Sequence, residues 1–413
     1  MTHDRAVLRE LAARYAEVAA SADMDRRRAL WRDLHALRPV RPPIYVRACA
    51  WKELREVLPE AECECHDPWL REHEDWLRYM LFRSTLGDDW VFEPYYPLRA
   101  VFTLHDSDRR WGLPLGRQRP TQAGGSYKID PALKSPEDLQ RLDSFPGTID
   151  ETATERAFTR LSETFGDALP VVVDRSPFWW RWRGDLSANL GFLRGIDHLM
   201  LDMVDRPDWL HALMGRLRDT VLASHDRAED AGDWQAMASF NQAVPYAEET
   251  AHAALGGQPV PRKRLWAFAA AQELTLVSPA MHEEFMLAYQ RPILERFRWS
   301  AYGCCEDLTN KIDMLRSIRN LRRIAVAPVA DPGRCARQVG AEYVLSYRPS
   351  PAETVSCGWR PERVRERLRA DLASMRGCRI DITLKDVETV ERDPDRVRAW
   401  VRLAREAADA FVP

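Results

Sequence analysis

Two adjacent cysteines followed by two acids, Cys304, Cys305, Glu306 and Asp307, stand in the stretch AYGCCEDLTNKIDML at positions 301–315, just before an apolar-periodic run. Thiolate and carboxylate together are zinc-binding chemistry, since zinc takes sulfur, nitrogen and oxygen donors in a tetrahedral shell and keeps one place open in a catalytic site. A thiolate is also a nucleophile and a redox group. The plainer alternative is a pair of small buried hydrophobes, with the acids capping the next helix. Consecutive strand residues face opposite ways, so both sulfurs reach one side only where the chain has already turned. These readings stay open on sequence alone. Cys304, Cys305, Glu306 and the distant Cys357 are the candidate metal ligands; Glu306 leans toward the site, Asp307 toward capping or orienting a ligand.

A second group is DRSPFWWRWRG, which joins Asp174 and Arg175 to Trp179, Trp180 and Trp182. Arginine beside aromatic rings clamps carboxylates or stacks on planar groups, and the same composition suits an oligomer contact or plain packing. Tyr347, Arg348 and Lys385 add a hydroxyl and positive charge and favour an anionic, carboxylated small-molecule substrate. Asp174, Lys385 and Asp386 are the remaining candidates for proton handling or charge stabilisation. The CECH run, Cys63 to His66, lacks a second ligand pair nearby, and His252 and His282 sit in helical text as ordinary satisfied histidines.

These residues need elements to hold them. Apolar positions Leu8, Leu11, Tyr15 and Val18 predict an amino-terminal helix; VRPPIYVRACAW ends the helical segment and starts a short β-like run. From Gly87 to about Asp138 the text is turn-rich and aromatic, and Trp90 and PYYP are expected to form a lid. Beyond residue 140, runs such as LPVVVD, LRRIAVAPVA, AEYVLSY and CRIDITLKD alternate with helical segments. That describes a parallel sheet covered by helices. The expected fold is an α/β (β/α)8 TIM barrel over 141–413, behind a helical and loop extension at 1–140. In such a barrel the chemistry lies at the carboxyl ends of the strands, which selects Asp174 and Arg175, Cys304 to Asp307, Asp331, Tyr347 and Arg348, and Lys385, Asp386 and Glu388.

Composition narrows the partners. The chain has 413 residues, 45% of them hydrophobic and 30% charged, with a net charge of -3, which offers no general attraction to nucleic acid. No run approaches the roughly 20 apolar residues of a membrane span, and the acid-bearing start lacks a secretion or import pattern, so the expected location is cytoplasmic. The eight cysteines imply no disulfide framework in a chain this long.

Several segments together resemble the uroporphyrinogen decarboxylase superfamily, near its zinc- and corrinoid-dependent methyltransferases. They are GFLRGIDHLMLDMVDRPDWLHALM, SPAMHEEFMLAYQRPILERF, YGCCEDLTNKIDML and KDVETVERDPDRVRAWVRLARE, and the resemblance spans roughly residues 130–410. It implies a TIM barrel with a His-x-Cys pair and a later cysteine holding zinc. Here the matching cysteine is Cys305, with Asp307 where many relatives carry an acid. The histidine position falls on Gly303, or on Tyr302 if Cys304 is matched. The last strand offers Lys385 or Asp386, since Cys378 stands too early. VPYAEE, with Glu249, matches a region that brings an acid toward the pocket. The implied activity is methyl transfer between a small anionic substrate and a thiol, or a corrinoid on a partner protein, at a metal site in the barrel mouth. Metal-independent decarboxylation and a non-catalytic binding barrel, alone or as a homo-oligomer, are the competing expectations.

Overall fold

The computed structural model describes residues 3–47, 54–59, 62–103, 109–114, 116–118, 121, 128–237, 245–253, 256–356 and 358–412. Among the described residues, eight strands make parallel ladders: β1 (Ile44–Arg47), β2 (Tyr96–Arg99), β3 (Val171–Asp174), β4 (Trp266–Ala269), β5 (Trp299–Tyr302), β6 (Leu321–Val326), β7 (Val344–Tyr347) and β8 (Arg379–Lys385). Six of them form one sheet in the order β1-β8-β7-β6-β5-β4, curled into a half-barrel, while β2 and β3 pair separately. No ladder joins β1 to β2 or β3 to β4 among the described residues.

In the carboxyl-terminal half, strand and helix alternate as the sequence leads one to expect. Pro332–Val339 follows β6, Pro361–Ser374 follows β7 and Asp395–Asp409 follows β8. Two strands lie outside the segment where the barrel was expected. β1 pairs with β8, Ile44 opposite Ile382 and Arg47 opposite Lys385, and β2 pairs with β3, Arg99 opposite Asp174. The expected lid is likewise part of the body: Trp90, Tyr95 and Tyr96 are buried, Tyr96 opens β2, and the Arg83 guanidinium lies 3.7 Å from the Trp90 ring.

The inner strands are not uniformly apolar. In β8, Ile380, Ile382 and Leu384 pack in the main core, whereas Asp381 and Thr383 join a polar network with Arg323 of β6 and Ser346 of β7. Arg323 grips Asp381 through two nitrogens, both at 2.8 Å. Paired and hydrogen-bonded in this way, the charges tolerate burial. The alternation follows from a sheet whose concave side holds polar groups and whose convex side meets helices.

The amino-terminal helices His3–Ala19 and Asp23–His35 pack against this frame. His35 closes one end: its Nδ1 lies 2.7 Å from the Tyr246 carbonyl and its ring 4.7 Å from that of Trp266, at the start of β4. Burial holds His35 neutral by lowering its pKa to about 4.

Candidate functional site

β5 ends at Tyr302, and the next residue turns the chain. Gly303 has φ +100°, and a Cβ placed there would lie 2.5 Å from Leu308 Cδ1 and 2.9 Å from Ala325 Cβ. Only glycine suits that combination, which removes the histidine position that the resemblance would place here. The turn also resolves the strand-parity problem, because it lets two consecutive side chains meet: the Cys304 and Cys305 sulfurs are 3.5 Å apart. Cys304 is buried and Cys305 exposed.

The turn is clamped from three sides. Glu306 Oε2 accepts the Cys304 amide at 2.7 Å, and its Oε1 accepts the amide of Ala271, beyond β4, also at 2.7 Å. From the end of β7, Arg348 donates to the Cys304 carbonyl at 2.5 Å and to the Gly303 carbonyl at 3.3 Å. Lys385, at the end of β8, points inward and brings its ammonium to 3.2 Å from Cys305 Sγ and 3.6 Å from Cys304 Sγ. In a flat sheet β5 and β8 would stand three strand spacings, about 14 Å, apart; the curl of the sheet brings their carboxyl ends together. Asp386 follows in the left-handed region, φ 56°, and turns its carboxylate back onto Lys385 and to 3.6 Å from Cys305 Sγ. Aspartate is among the few residues that adopt this conformation readily.

The electrostatics separate the two thiols. A hydrogen bond from Cys304, with the Lys385 charge beside it, lowers the Cys305 pKa to about 6. The same hydrogen bond and burial push Cys304 up, so Cys304 is the proton donor of the pair. Burial opposes the charge on Lys385, yet the thiols and Asp386 hold its pKa above the usual lysine value. The result is a solvent-reachable thiolate beside a fixed ammonium.

Behind the cysteine turn lie two acids that are not among the sequence candidates. Asp185 caps helix Leu186–Arg194 through Oδ1, while its buried Oδ2 has no hydrogen-bond partner; burial, then Glu273, raises its pKa well above the carboxylate range. Glu273 accepts from Ser187 and is also raised by burial. The acid before LSAN was legible as a helix start; its neighbours across the fold were not.

The remaining candidates take other parts. Glu306 spends both carboxylate oxygens on amides and is an anchor rather than a ligand. Asp307 caps its own turn through the Thr309 amide. Asp174 accepts from Ser176 and faces Arg99 at 3.2 Å, and despite burial these arginine and serine partners keep its pKa low. Arg175 turns outward to Glu151 and Asp233. Trp179 is core, stacked on Trp111 and bonded to the Phe145 carbonyl. Trp180 stacks on Phe297 and lines an aromatic hollow with Trp234 and Trp266, while Trp182 meets Phe268. Tyr347 bonds Asp371 on the outer helix layer. Glu249 binds Trp299, at the amino end of β5 and therefore at the rim opposite the thiols. Cys357 lies outside the described residues. The structure thus brings together Cys304, Cys305, Glu306, Arg348, Lys385 and Asp386.

This donor set does not fit zinc. The two sulfurs are near enough to share one soft cation, but the Lys385 ammonium within 3.6 Å of both would repel it, and both Glu306 oxygens already accept backbone amides. Among the described residues, the close group of three metal-capable side chains is His3, Asp4 and His66, far along the chain from the thiols.

Neither a family model nor a curated protein sequence matches this chain. A solved structure does: a methyltransferase from Methanosarcina mazei superposes over 92% of this chain and 97% of its own, with a TM-score of 0.51 and 12% identity. What the two share is the fold. No helix among the described residues is long and apolar enough to cross a membrane.

Proposed function

We propose that this protein is a methyltransferase-like enzyme in which Cys305 takes a methyl group from a small anionic donor, with Lys385 supplying the positive charge at the thiol. The observation that carries this is the 3.2 Å approach of the Lys385 ammonium to Cys305 Sγ at the carboxyl rim of the sheet. The shared fold with a methyltransferase supports the reaction class. In this reading β2 and β3 complete the half-barrel into a (β/α)8 ring around the rim.

The chemistry is an in-line displacement. The Cys305 thiolate attacks the methyl carbon, the sulfur–carbon bond forms as the bond to the donor heteroatom breaks, and the donor leaves with the electron pair as an anion. Lys385 stabilises the thiolate before attack and the departing anion after it. Arg348 and Glu306 hold the turn so that the sulfur need not reorganise. Because a thiol of low pKa is a good leaving group, a small thiolate acceptor would then remove the methyl and restore Cys305.

The test is intact-mass and peptide mapping after incubation of reduced protein with methylated small carboxylates, both thioethers and ethers. A single methyl on Cys305, absent in Cys305→Ser, is the expected result. Methyl appearing instead on other residues, or an unaltered Cys305 when turnover of such a donor is measured, would overturn the reading.

A further inference from the structure

We propose that Cys305 and Cys304 are a peroxide-reactive pair that closes into a reversible vicinal disulfide, Cys305 as the attacking sulfur and Cys304 as the resolving one. Three observations point the same way. Cys305 is exposed and Cys304 buried, so a solvent oxidant meets Cys305 first. The second sulfur already stands 3.5 Å from the first. Lys385 Nζ reaches both, at 3.2 and 3.6 Å, and is placed to protonate the oxygen that leaves. An accessible thiolate beside a resolving thiol is the arrangement of redox-sensing cysteines.

The steps balance with a hydroperoxide as oxidant. The Cys305 thiolate attacks the outer peroxide oxygen and the O–O bond breaks; the departing alkoxide takes a proton from Lys385, and Cys305 becomes a sulfenic acid. The Cys304 thiol then attacks that sulfur, hydroxide leaves and is protonated to water, and the disulfide forms. An external dithiol reverses the change by thiol–disulfide exchange and is itself oxidised.

The peptide link between the two residues makes this bond a switch rather than a staple. Neighbouring Cα atoms across a trans peptide are about 3.8 Å apart, below the ~4.4–6.8 Å usual for disulfides. Such a bond is strained, and strained disulfides are the readily reduced ones. Oxidation would remove the nucleophile, so its effect on methyl transfer rests on the function proposed above; the redox chemistry does not.

The test treats reduced full-length protein with equimolar hydrogen peroxide, followed by maleimide quenching and peptide mapping. The expected product is a 304–305 peptide that carries no maleimide and has lost two hydrogens, restored by dithiothreitol. In Cys304→Ser the reaction should stop at a sulfenic acid trapped by dimedone, and Lys385→Met should slow the first step roughly tenfold at neutral pH through loss of thiolate. A wild-type dimedone adduct on Cys305 with Cys304 still open to maleimide would overturn the proposal. So would oxidation of the half-buried Cys63, whose pKa is pushed up to about 11, as fast as Cys305. Methyl uptake on the same preparation separates the two readings: uptake without a disulfide sinks this one alone, and a disulfide without uptake sinks the other alone.

Discussion

The Lys385 ammonium lies 3.2 Å from the Cys305 sulfur and 3.6 Å from the Cys304 sulfur, so one buried cation faces two thiols from the opposite side of a curled sheet. Its charge is held by Asp386 at the outer edge, and Arg348 sets the backbone beneath the sulfurs. The behaviour of the pair should follow from Lys385, Asp386 and Arg348 around it.

Thiolate is the reactive form, and the Cys305 pKa is lowered to about 6. Alkylation by iodoacetamide should therefore rise with pH through about 6 and level off above it. The charged or titratable groups facing Cys305 are Cys304, Lys385, Asp386 and Arg348; Cys304 and Lys385 lower its pKa, Asp386 raises it, and the Arg348 charge also favours the thiolate. Cys304→Ala and Lys385→Met should each move the midpoint upward toward the ordinary thiol value of about 8.5, Cys304→Ala by more, whereas Asp386→Asn should move it down. A wild-type midpoint above 8 would contradict this account of the site.

Gly303→Ala tests the turn. The substitution puts a Cβ at φ +100° and between Leu308 and Ala325, where the built distances are 2.5 and 2.9 Å. A loss of about 1–3 kcal/mol is expected from strain and overpacking, read in denaturant unfolding, together with slower alkylation of Cys305. A variant as stable and as reactive as the parent would show that the turn does not depend on glycine.

Asp381→Ala removes the carboxylate that receives two nitrogens of Arg323 on the concave face. Leaving a buried guanidinium without that carboxylate should cost about 3–5 kcal/mol. The double variant Asp381→Leu with Arg323→Met should recover much of the loss, because an apolar pair of similar volume avoids the buried charge. Chemical denaturation of the three proteins checks both statements.

How much of this was legible in the sequence depends on whether a residue's partner is local. Strand and helix alternation from β6 to β8 was readable because each apolar run is bounded by its own helix signals, and the thiols were placed at a strand end for the same reason. The β character of β1 is readable in its own residues, but nothing in IYVR announces that its partner is the last strand, more than 330 residues away. Arg348 and Tyr347 looked alike as a rim pair, yet strand parity sends Arg348 to the cysteine turn and Tyr347 to the outer helix layer. Glu249 and Arg175 carried plausible chemistry, and their ion-pair and ring partners, which decide where they point, lie on other elements. Gly303 was legible as a break in a residue pattern, but its necessity comes from Leu308 and Ala325 closing around it.

Over metal, resemblance and geometry part. The resemblance implies zinc on cysteines of this rim, and the two sulfurs at 3.5 Å are close to the spacing that tetrahedral thiolates adopt around zinc at about 2.3 Å. What stands against a cation is the ammonium in front of them. Purified wild-type protein should therefore hold zinc well below one equivalent after dialysis against zinc-containing buffer, and its thiol reactivity should be unmoved by chelators. Lys385→Cys removes the repelling charge and adds a third thiolate to the same face, so it should take up close to one zinc per chain and become unreactive toward iodoacetamide until the metal is stripped. Elemental analysis of the two proteins in parallel decides the matter: stoichiometric zinc in the wild type would mean that Lys385 moves aside for metal, and the ammonium would lose its assigned part in activating Cys305.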